Sequence, residues 1–586
     1  MNSLLRFLVR NLGVWLVIFA IAKLYFLLIN TQAFGVDIIQ FPAMWWNGLR
    51  LDLSVIGYIL ILPSLLFLIG KLTSLSVVRY LKVYYWLVFV VVIIVLATDP
   101  YFFLYWGQKA NTSFTQFIGK ENAGLASIEL SHYLIAFTFI VLMISRFAYT
   151  WNKQLTLPFK TSYLGVLLLM AVVAIMIRSS FGKVPINISS AYYSSNNLYN
   201  NTAINSIWSA LSTEVEKNKN KSMTFFEDAE AEKLYTEIYS DSASIDYAKL
   251  ISVNDSTNIV LIVLESFSAK TSGYLFGNEY ASTPNLDKMM QEGITFTNAY
   301  ASSFRSDKGL LALTYGIPAT AHQTLTNFPD YLAPKPNIFK HFPADYHTSF
   351  YYGGDIEFAN IKVLFKDANE VVVQKDFNST QENAWGVHDE VVFERFTSDF
   401  LGNNSPQFKM MFSLSSHEPF DVPGYNKKAD KYLNSISYTD SCLSVMIERI
   451  RKSDKWKNTL IILTADHGTV RPNNAPVYDS TNFRIPMVMI GGAVKQDKII
   501  TSIVSQTQIP ATLAVLKGKK NVYPQPSVFT PVNKAFYSYF DGVVMVAPNC
   551  FQRFDFGLKK YADSTTCLPP YERAYYQISN KRFFTN

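Results

Sequence analysis

The first third of the chain is far richer in hydrophobic residues than the remainder. It contains five apolar runs, each long enough to cross a bilayer core of roughly 30 Å. These runs cover about 12–29, 53–70, 83–98, 133–149 and 162–178. A single run of this kind is also compatible with a buried core helix. Five in succession, followed by a chain of ordinary polarity, predict a transmembrane domain of five helices over residues 1–178.

Basic residues in the short loops predict the orientation of this domain. Lys and Arg are concentrated before the first run, between the second and third, and between the fourth and fifth. The positive-inside rule then places the N-terminus in the cytoplasm. With five crossings, everything after Arg178 is expected outside the membrane. The runs hold few ionisable residues, which argues against a transporter.

After the last run the hydrophobic pattern changes twice. Residues 179–257 are predicted to form a juxtamembrane connector that is partly helical. From Asn258 onward, short apolar runs alternate with helical stretches, which predicts an α/β domain with a mostly parallel central sheet over 258–534. The aromatic tail over 535–586 is expected to extend this domain with a small antiparallel element.

Length, charge and cysteine content narrow the class of protein. The chain of 586 residues is too long for one domain. Its net charge of +7 is dispersed, without the long basic run that indicates nucleic-acid binding. Of the three cysteines, Cys550 and Cys567 are candidates for a disulfide, but the sequence leaves their pairing open.

Polar residues follow several of the predicted strands at the point where each apolar run stops. Glu265 follows the first strand, Asp355 and His417 follow the next two, and Asp466-His467-Gly468 ends the fourth. The carboxyl ends of parallel strands share one edge of a sheet, where ligands of α/β proteins bind. Each residue alone is compatible with a helix cap. Together, these oxygen and nitrogen donors predict a site for a divalent cation such as Mn, Zn or Mg.

The segment Phe304-Arg305-Ser306-Asp307-Lys308-Gly309 offers a candidate nucleophile. The apolar stretch that follows predicts a helix, so Ser306 would lie at its N-terminus, where backbone N–H groups and the helix dipole favour a phosphate. Arg305 and Lys308 are expected to add positive charge for substrate binding. A simple capping role for Ser306 or Asp307 is the alternative.

These features together resemble the lipoteichoic acid synthase family, which comprises phosphoglycerol transferases of the alkaline phosphatase and sulfatase superfamily. The resemblance rests mainly on the strand that ends at Glu265, the segment 305–309 and Asp466-His467. It implies a sulfatase-like domain and one divalent cation, commonly manganese. It further implies that the ligands of this cation are Glu265, Ser306, Asp466 and His467.

The resemblance also extends to the substrate pocket, with three departures from the family pattern. It implies that His417 binds the headgroup and takes part in catalysis, and that Asp355 binds substrate. The family usually has threonine at Ser306, some members have histidine at Gly353, and some have arginine at Lys362. The first departure retains the hydroxyl group, whereas the other two concern headgroup recognition.

The function implied by the resemblance is transfer of phosphoglycerol from phosphatidylglycerol, through a covalent intermediate on Ser306, to an acceptor outside a bacterial cytoplasmic membrane. The acceptor is a polyglycerol-phosphate chain, a glycolipid or a glycan. A phosphoethanolamine transferase and a non-catalytic sulfatase-like scaffold remain as alternatives. A sulfatase is not favoured, because Ser306-Asp307-Lys308-Gly309 lacks the Cys/Ser-x-Pro-x-Arg pattern. His388 and Asp389 are interpreted as part of a surface loop.

Overall fold

The structure, a computed structural model, separates the chain into two compact units, Met1–Lys219 and Asn220–Asn586. The division falls inside the stretch predicted as a connector. The structure describes residues 3–34, 37–73, 76–106, 109, 130–154, 162–180, 185–194, 196–211, 223–240, 244–321, 323–379, 382–383, 385–539, 542–556, 558–561 and 567–585.

The first unit is helical. Its helices are α1 (Ser3–Phe34), α2 (Phe41–Thr73), α3 (Val78–Trp106), α4 (Leu130–Gln154), α5 (Tyr163–Arg178) and α6 (Asn197–Ala203). Three apolar stretches, Leu4–Thr31, Ile38–Thr73 and Val78–Leu104, are long enough to cross a membrane. The fourth and fifth predicted spans coincide with shorter apolar helices, Ser131–Ser145 and Tyr163–Arg178. The structure therefore supports three spans at full length, and the five-span arrangement stays a prediction.

Aromatic side chains and short polar contacts hold these helices together. The rings of Phe89 on α3 and Phe147 on α4 stack with centroids 3.9 Å apart, and Trp15 on α1 packs against both. On α2, the Ser54 hydroxyl donates to the Ile177 carbonyl oxygen on α5 at 2.6 Å. Such contacts matter because, between apolar helices in lipid, packing and hydrogen bonds supply the attraction.

The first unit also encloses charged residues, of which only Lys23 lies within a predicted apolar run. The Lys23 ammonium pairs with Asp52 at 2.7 Å, and both side chains are at most 5% exposed. Asn205 donates to the second oxygen of Asp52 at 2.8 Å. A second buried pair joins Lys109 and Asp99 at 2.8 Å. Each charge is balanced by a partner, and such pairing is what allows ionisable groups to persist between apolar helices.

Breaking the Lys23–Asp52 pair is expected to destabilise the helical unit. Lys23→Met leaves the Asp52 carboxylate buried without its cation, which costs about 3–5 kcal/mol. The double variant Lys23→Met/Asp52→Leu should recover part of this loss, because no uncompensated charge remains. Thermal unfolding in detergent measures both. Lys581→Met, which breaks an exposed pair with Asp228, is the control and should cost less than about 1 kcal/mol. Equal effects of Lys23→Met and Lys581→Met would contradict the prediction.

The second unit is built around a nine-stranded sheet. The strands of the unit are β1 (Asn258–Leu264), β2 (Ile294–Tyr300), β3 (His347–Tyr352), β4 (Glu370–Val372), β5 (Gln407–Phe412), β6 (Thr459–Ala465), β7 (Arg484–Ile485), β8 (Met487–Ile490), β9 (Lys498–Ser505), β10 (Ala535–Tyr539), β11 (Gly542–Ala547), β12 (Cys550–Asp555) and β13 (Lys560–Tyr561). Its helices are α7 (Asp228–Glu237), α8 (Tyr247–Leu250), α9 (Gly273–Phe276), α10 (Pro284–Glu292), α11 (Ser306–Tyr315), α12 (Pro329–Leu332), α13 (Asp389–Gly402), α14 (Lys431–Arg451), α15 (Ile509–Leu516) and α16 (Tyr571–Phe584).

The sheet is mixed, with five consecutive parallel strands that begin at one edge. The order is β4-β3-β5-β1-β6-β8-β2-β7, and β9 pairs with β2. Strands β4, β3, β5, β1 and β6 are parallel, whereas β8 runs antiparallel to β6. All seven residues of β1 are buried. Because successive side chains point to opposite faces, both faces of the sheet must be covered. The prediction of a mostly parallel α/β sheet is confirmed.

The aromatic tail forms a separate antiparallel sheet. Its strand order is β10-β11-β12-β13. Tyr537 on β10 stacks on Phe483, which lies just before β7, with centroids 3.7 Å apart. Cys550 and Cys567 form a disulfide with Cα atoms 6.0 Å apart, which answers the question that the sequence leaves open.

Candidate metal centre and nucleophile

The pairing of β1 with β6 brings two carboxylates together. Leu264 lies opposite Ala465 in the parallel register, so the next residues, Glu265 and Asp466, leave the sheet side by side. The chain turns at once at Ser266, whose φ is +56°. The Ser266 N–H donates to Asp466 Oδ1 at 2.9 Å, and its hydroxyl donates to Glu265 Oε1 at 2.7 Å. This turn holds both carboxylates in place.

His467 completes a buried cluster with these carboxylates. Its Nδ1 lies 2.8 Å from the Gly468 carbonyl oxygen, so we place the ring proton on Nδ1. This leaves Nε2 free as a ligand, the usual arrangement of a metal-binding histidine. Nε2 lies 3.3 Å from Asp466 Oδ2 and 3.8 Å from Glu265 Oε1. One donor atom from each of the three residues lies within 4.8 Å of the others.

Ser306 begins helix α11 and points its hydroxyl at this cluster. Its Oγ lies 3.1 Å from Glu265 Oε2 and 3.3 Å from His467 Nε2. The approach depends on Gly309, because a Cβ there would lie 2.0 Å from the backbone oxygen of Asp466. The absence of a side chain at Gly309 therefore lets α11 pack directly on the cluster.

Gln506 fastens the segment before Ser306 to the segment that carries Asp466. Its side-chain oxygen accepts the N–H of Ser302 at 2.5 Å, and its amide nitrogen donates to the Asp466 carbonyl oxygen at 2.9 Å. Gln506 is fully buried, so no water competes for these hydrogen bonds. The sequence gives no signal for this role, since a glutamine in an ordinary segment carries no motif.

The four side chains fit a divalent cation. Asp466 Oδ2 is buried and receives no hydrogen bond from any residue that the structure describes. Burial, followed by the charge of nearby Asp466, raises the pKa of Glu265 to about 8 from its ordinary value of 4.5. Two carboxylates held this close in a buried site repel each other, and a cation between them offsets the repulsion. Carboxylate, hydroxyl and imidazole donors suit Mn, Zn or Mg.

His417 and Asp355 lie on loops that follow neighbouring strands. The preceding residue, Ser416, donates its hydroxyl to the Glu265 carbonyl oxygen at 2.5 Å. The half-buried His417 ring packs against the indole of Trp385, with centroids 4.2 Å apart. Asp355 is half-buried and accepts the N–H of Glu357 at 2.9 Å.

Tyr352 is the buried last residue of β3. Burial raises the pKa of its hydroxyl far above the ordinary value, and the negative charges of Glu265, Asp466 and Asp355 raise it further. Neither Tyr352 nor Trp385 is predicted as a site residue from the sequence, because aromatic residues in buried strands and loops are common.

The charged groups of Arg305 and Lys308 each have partners within the protein. Arg305 Nε pairs with Asp307 at 3.0 Å. The Lys308 ammonium is buried and donates to the carbonyl oxygens of Thr320 and Ala321, and burial lowers its pKa to about 8. Both residues flank Ser306 in the chain, and their role in substrate binding stays a prediction.

The interpretation of His388 and Asp389 as a surface loop is wrong. His388 is 5% exposed and Asp389 is fully buried. The Asp389 carboxylate accepts the N–H groups of Leu414 and Ser415 and the hydroxyl of Thr439. Asp389 thus anchors the loop that leads to His417.

Comparison with known proteins agrees with this architecture. Residues 257–518 match the family described as Sulfatase. This domain therefore belongs to the alkaline phosphatase and sulfatase superfamily, and the resemblance noted in the sequence is confirmed. The chain is 23% identical to Phosphoglycerol transferase I from Xanthomonas axonopodis pv. citri over an alignment of 260 residues. The alignment covers 40% of this chain. The match spans 37% of the length of that relative.

Two solved structures share the fold. One is a protein in the alkaline phosphatase superfamily from Vibrio parahaemolyticus, with a TM-score of 0.51 and 24% identity over 61% of this chain and 96% of that chain. The other is the lipoteichoic acid synthase LtaP from Listeria monocytogenes, with a TM-score of 0.50 and 15% identity over 60% of this chain and 98% of that chain. Similarity at this level establishes the fold alone.

The raised pKa of Glu265 makes metal affinity depend on pH. A cation requires the carboxylate, so manganese affinity should rise about tenfold per pH unit below pH 8 and level off above it. Calorimetric titrations between pH 6 and 9 measure this dependence. Glu265→Ala should bind manganese far more weakly and lose the pH dependence above pH 6. A flat profile in the unaltered protein, or unchanged metal content in Glu265→Ala, would remove Glu265 from the ligand set.

The same shift predicts how the metal-free protein responds to pH. The folded-state pKa of Glu265 is raised, so its neutral form stabilises the fold fully below its ordinary pKa of 4.5. This stabilisation is lost as pH rises towards about 8, because the folded state then holds a buried charge. Thermal unfolding of metal-free protein should therefore reveal falling stability across this window. Added manganese should reverse the loss at the upper end, and Glu265→Gln should not show it.

Proposed function

We propose that the protein is a membrane-anchored, metal-dependent phosphoglycerol transferase. It would move the headgroup of phosphatidylglycerol to an extracytoplasmic acceptor through a covalent intermediate on Ser306. The observation that carries this proposal is the Ser306 hydroxyl, which lies 3.1 Å from Glu265 and 3.3 Å from His467 at the N-terminus of α11. A nucleophile, a cation site and a helix N-terminus at one point suit attack on phosphorus.

In the first step, the Ser306 oxygen attacks the phosphorus of the donor lipid. Glu265 Oε2 accepts the hydrogen of this hydroxyl and orients it. The bond from phosphorus to the diacylglycerol oxygen breaks, and diacylglycerol leaves with a proton. His417, which is half-buried and follows the Ser416 that contacts Glu265, is proposed to bind the headgroup and to supply that proton.

In the second step, an acceptor hydroxyl attacks the phosphorus and gives its proton to His417, which lost one in the first step. The bond from phosphorus to the Ser306 oxygen breaks, and this oxygen regains the hydrogen that Glu265 accepted. Backbone N–H groups at the start of α11 would face the phosphoryl oxygens in both steps. A divalent cation bound by Glu265, Ser306, Asp466 and His467 would lower the pKa of the serine hydroxyl and offset charge on the phosphate. Manganese is the proposed occupant, with zinc or magnesium as substitutes.

Donor and acceptor are inferred from relatives and from membrane attachment. The Xanthomonas relatives carry the name phosphoglycerol transferase, which favours a glycerol headgroup. The apolar helices of the first unit would confine the enzyme to the membrane in which its lipid donor is concentrated. We infer five spans, a cytoplasmic N-terminus and a catalytic domain outside a bacterial cytoplasmic membrane. The acceptor would be a glycan, a glycolipid or a polyglycerol-phosphate chain.

The donor can be identified by offering one phospholipid at a time. Purified full-length protein with manganese is incubated with vesicles that contain either phosphatidylglycerol or phosphatidylethanolamine, and diacylglycerol is measured. Release from phosphatidylglycerol alone is expected. Release from phosphatidylethanolamine alone would replace the proposal by a phosphoethanolamine transferase. Release from neither, in metal-loaded protein, would indicate a non-catalytic scaffold.

Substitution of Ser306 separates its nucleophilic role from its role in metal binding. Ser306→Ala should abolish diacylglycerol release and the mass increase of one phosphoglycerol on the protein, while Glu265, Asp466 and His467 retain the metal with a modest loss of affinity. Ser306→Thr keeps the hydroxyl and is the matched control, expected to retain turnover and the adduct. Full turnover in Ser306→Ala would assign the nucleophile to another residue.

A further inference from the structure

Lys270 is a fully buried lysine close to the metal centre that the proposed mechanism does not use. It lies in a short helical turn, Ala269–Thr271, five positions after Glu265. Its ammonium group is surrounded by oxygen atoms at hydrogen-bonding distance. They belong to Asn482 (Oδ1, 2.6 Å), Asn473 (Oδ1, 3.0 Å), Thr469 (O, 3.1 Å) and Val470 (O, 3.4 Å).

All four oxygens belong to one loop, residues 469–482, which starts two positions after His467. An ammonium group has three N–H donors, so four acceptors satisfy it completely. Two of the acceptors are backbone carbonyl oxygens at the start of the loop, and one is the side chain of buried Asn482 at its end. Lys270 therefore draws the beginning and the end of the loop towards one point.

The end of this loop contacts both halves of the proposed active site. A Cβ on Gly468 would lie 2.3 Å from the Asn482 carbonyl oxygen, so the loop closes directly against the residue that follows His467. The next residue, Phe483, accepts the N–H of Ala301 at 2.8 Å. Ala301 opens the segment that leads to Ser306. A displacement of Asn482 would thus reach His467 on one side and the nucleophile segment on the other.

We propose that Lys270 is a positioning residue of the metal centre. Its ammonium group serves as a built-in monovalent cation for the oxygen cage formed by Thr469, Val470, Asn473 and Asn482, and it thereby fixes the loop that orients Asp466 and His467. The inference rests on the proposed role of these two residues as metal ligands. The inference adds that the positions of Asp466 and His467 as ligands depend on the positive charge of Lys270, which follows β1 in the chain.

Removing this charge leaves four oxygens turned towards one another in a buried space. Carbonyl dipoles in such an arrangement repel, and buried acceptors without donors are costly. The loop is expected to open, which withdraws support from the His467 ring. Loss of a residue that orients a metal ligand lowers metal affinity by about 10- to 100-fold, and Lys270→Ala should fall in this range for manganese.

The decisive experiment combines manganese titration with chemical rescue. Manganese affinity of full-length Lys270→Ala is measured by calorimetry with and without millimolar methylammonium chloride. Methylammonium fits the space of the deleted side-chain end and restores the donors, so it should recover most of the lost affinity. Lys270→Met also lacks the charge but fills the space, so it should bind manganese as weakly as Lys270→Ala and should not respond to methylammonium. Amide hydrogen exchange of residues 469–482 should be faster in Lys270→Ala and Lys270→Met than in the unaltered protein. Methylammonium should slow this exchange in Lys270→Ala only.

Lys409→Ala is the matched control. Lys409 is also a buried lysine, donates to the Tyr351 hydroxyl at 2.9 Å, and lies on β5. Its loss should lower stability without changing manganese affinity or producing a response to methylammonium.

The outcomes separate this inference from the proposed function. If the unaltered protein binds no manganese, the proposed metal centre itself fails. If it binds manganese and folded Lys270→Met binds equally well, Lys270 is not a positioning residue, and this result stands even where Lys270→Ala does not fold. A loss of affinity in Lys270→Ala without any methylammonium rescue would overturn the role of the positive charge.

Discussion

The parallel pairing of β1 with β6 holds Glu265 and Asp466 side by side at the edge of a buried sheet. Both carboxylates leave adjacent strands at the same level, and both are at most 2% exposed. Two negative charges in such a place repel each other, and neither has access to bulk water. Burial, and after it the charge of Asp466, raises the pKa of Glu265. A divalent cation between the two carboxylates would offset their repulsion. The contacts around the site hold the donor atoms in positions that suit such a cation.

The contacts that hold the candidate metal ligands in place are made mostly by backbone atoms and by residues that have no proposed role in catalysis. Gly309 lets α11 approach the Asp466 backbone, and Gln506 joins the segments that carry Ser306 and Asp466. Asp389 fixes the loop before His417, and Lys270 fixes the loop after His467. The segments that carry Ser306, Asp466, His467 and His417 are thereby held by buried neighbours. Rigid support of this kind keeps donor atoms within reach of one another without a bound ion.

The parts of this arrangement that could be predicted from the sequence are those that depend on local pattern. Apolar runs marked the central strands, and the rule that ligands gather at carboxyl ends of parallel strands brought Glu265, Asp466 and His467 to one edge. Ser306 was placed at a helix N-terminus because the apolar stretch after Gly309 predicts a helix, and the structure starts α11 there. These predictions depend on where strands and helices begin and end, and not on the direction of individual side chains.

The remaining features depend on tertiary contacts that leave no trace in a local pattern. Arg305 and Lys308 flank Ser306 in the chain, but the direction of a long side chain is set by its partners, here Asp307 and two carbonyl oxygens. Lys23 lies within a predicted span and looks unfavourable until its partner Asp52, on another helix, is known. Lys270 and Gln506 act on segments about 200 and 40 positions away, so no single stretch of sequence reveals them.

The charge balance of the site bears on the kind of substrate it can hold. The two negative charges of Glu265 and Asp466 equal the charge of one divalent cation, and the nearby charges of Arg305 and Lys308 are engaged elsewhere. The N-terminus of α11 adds only about half a positive charge. A phosphate monoester, with a charge of about −1.5 to −2 at neutral pH, would leave an excess of negative charge in a buried place. A phosphodiester carries a single negative charge, and so does the serine-linked phosphoglycerol that would follow it. In the proposed reaction, the phosphate group therefore keeps a single negative charge from donor lipid to intermediate to product, as this charge balance would require.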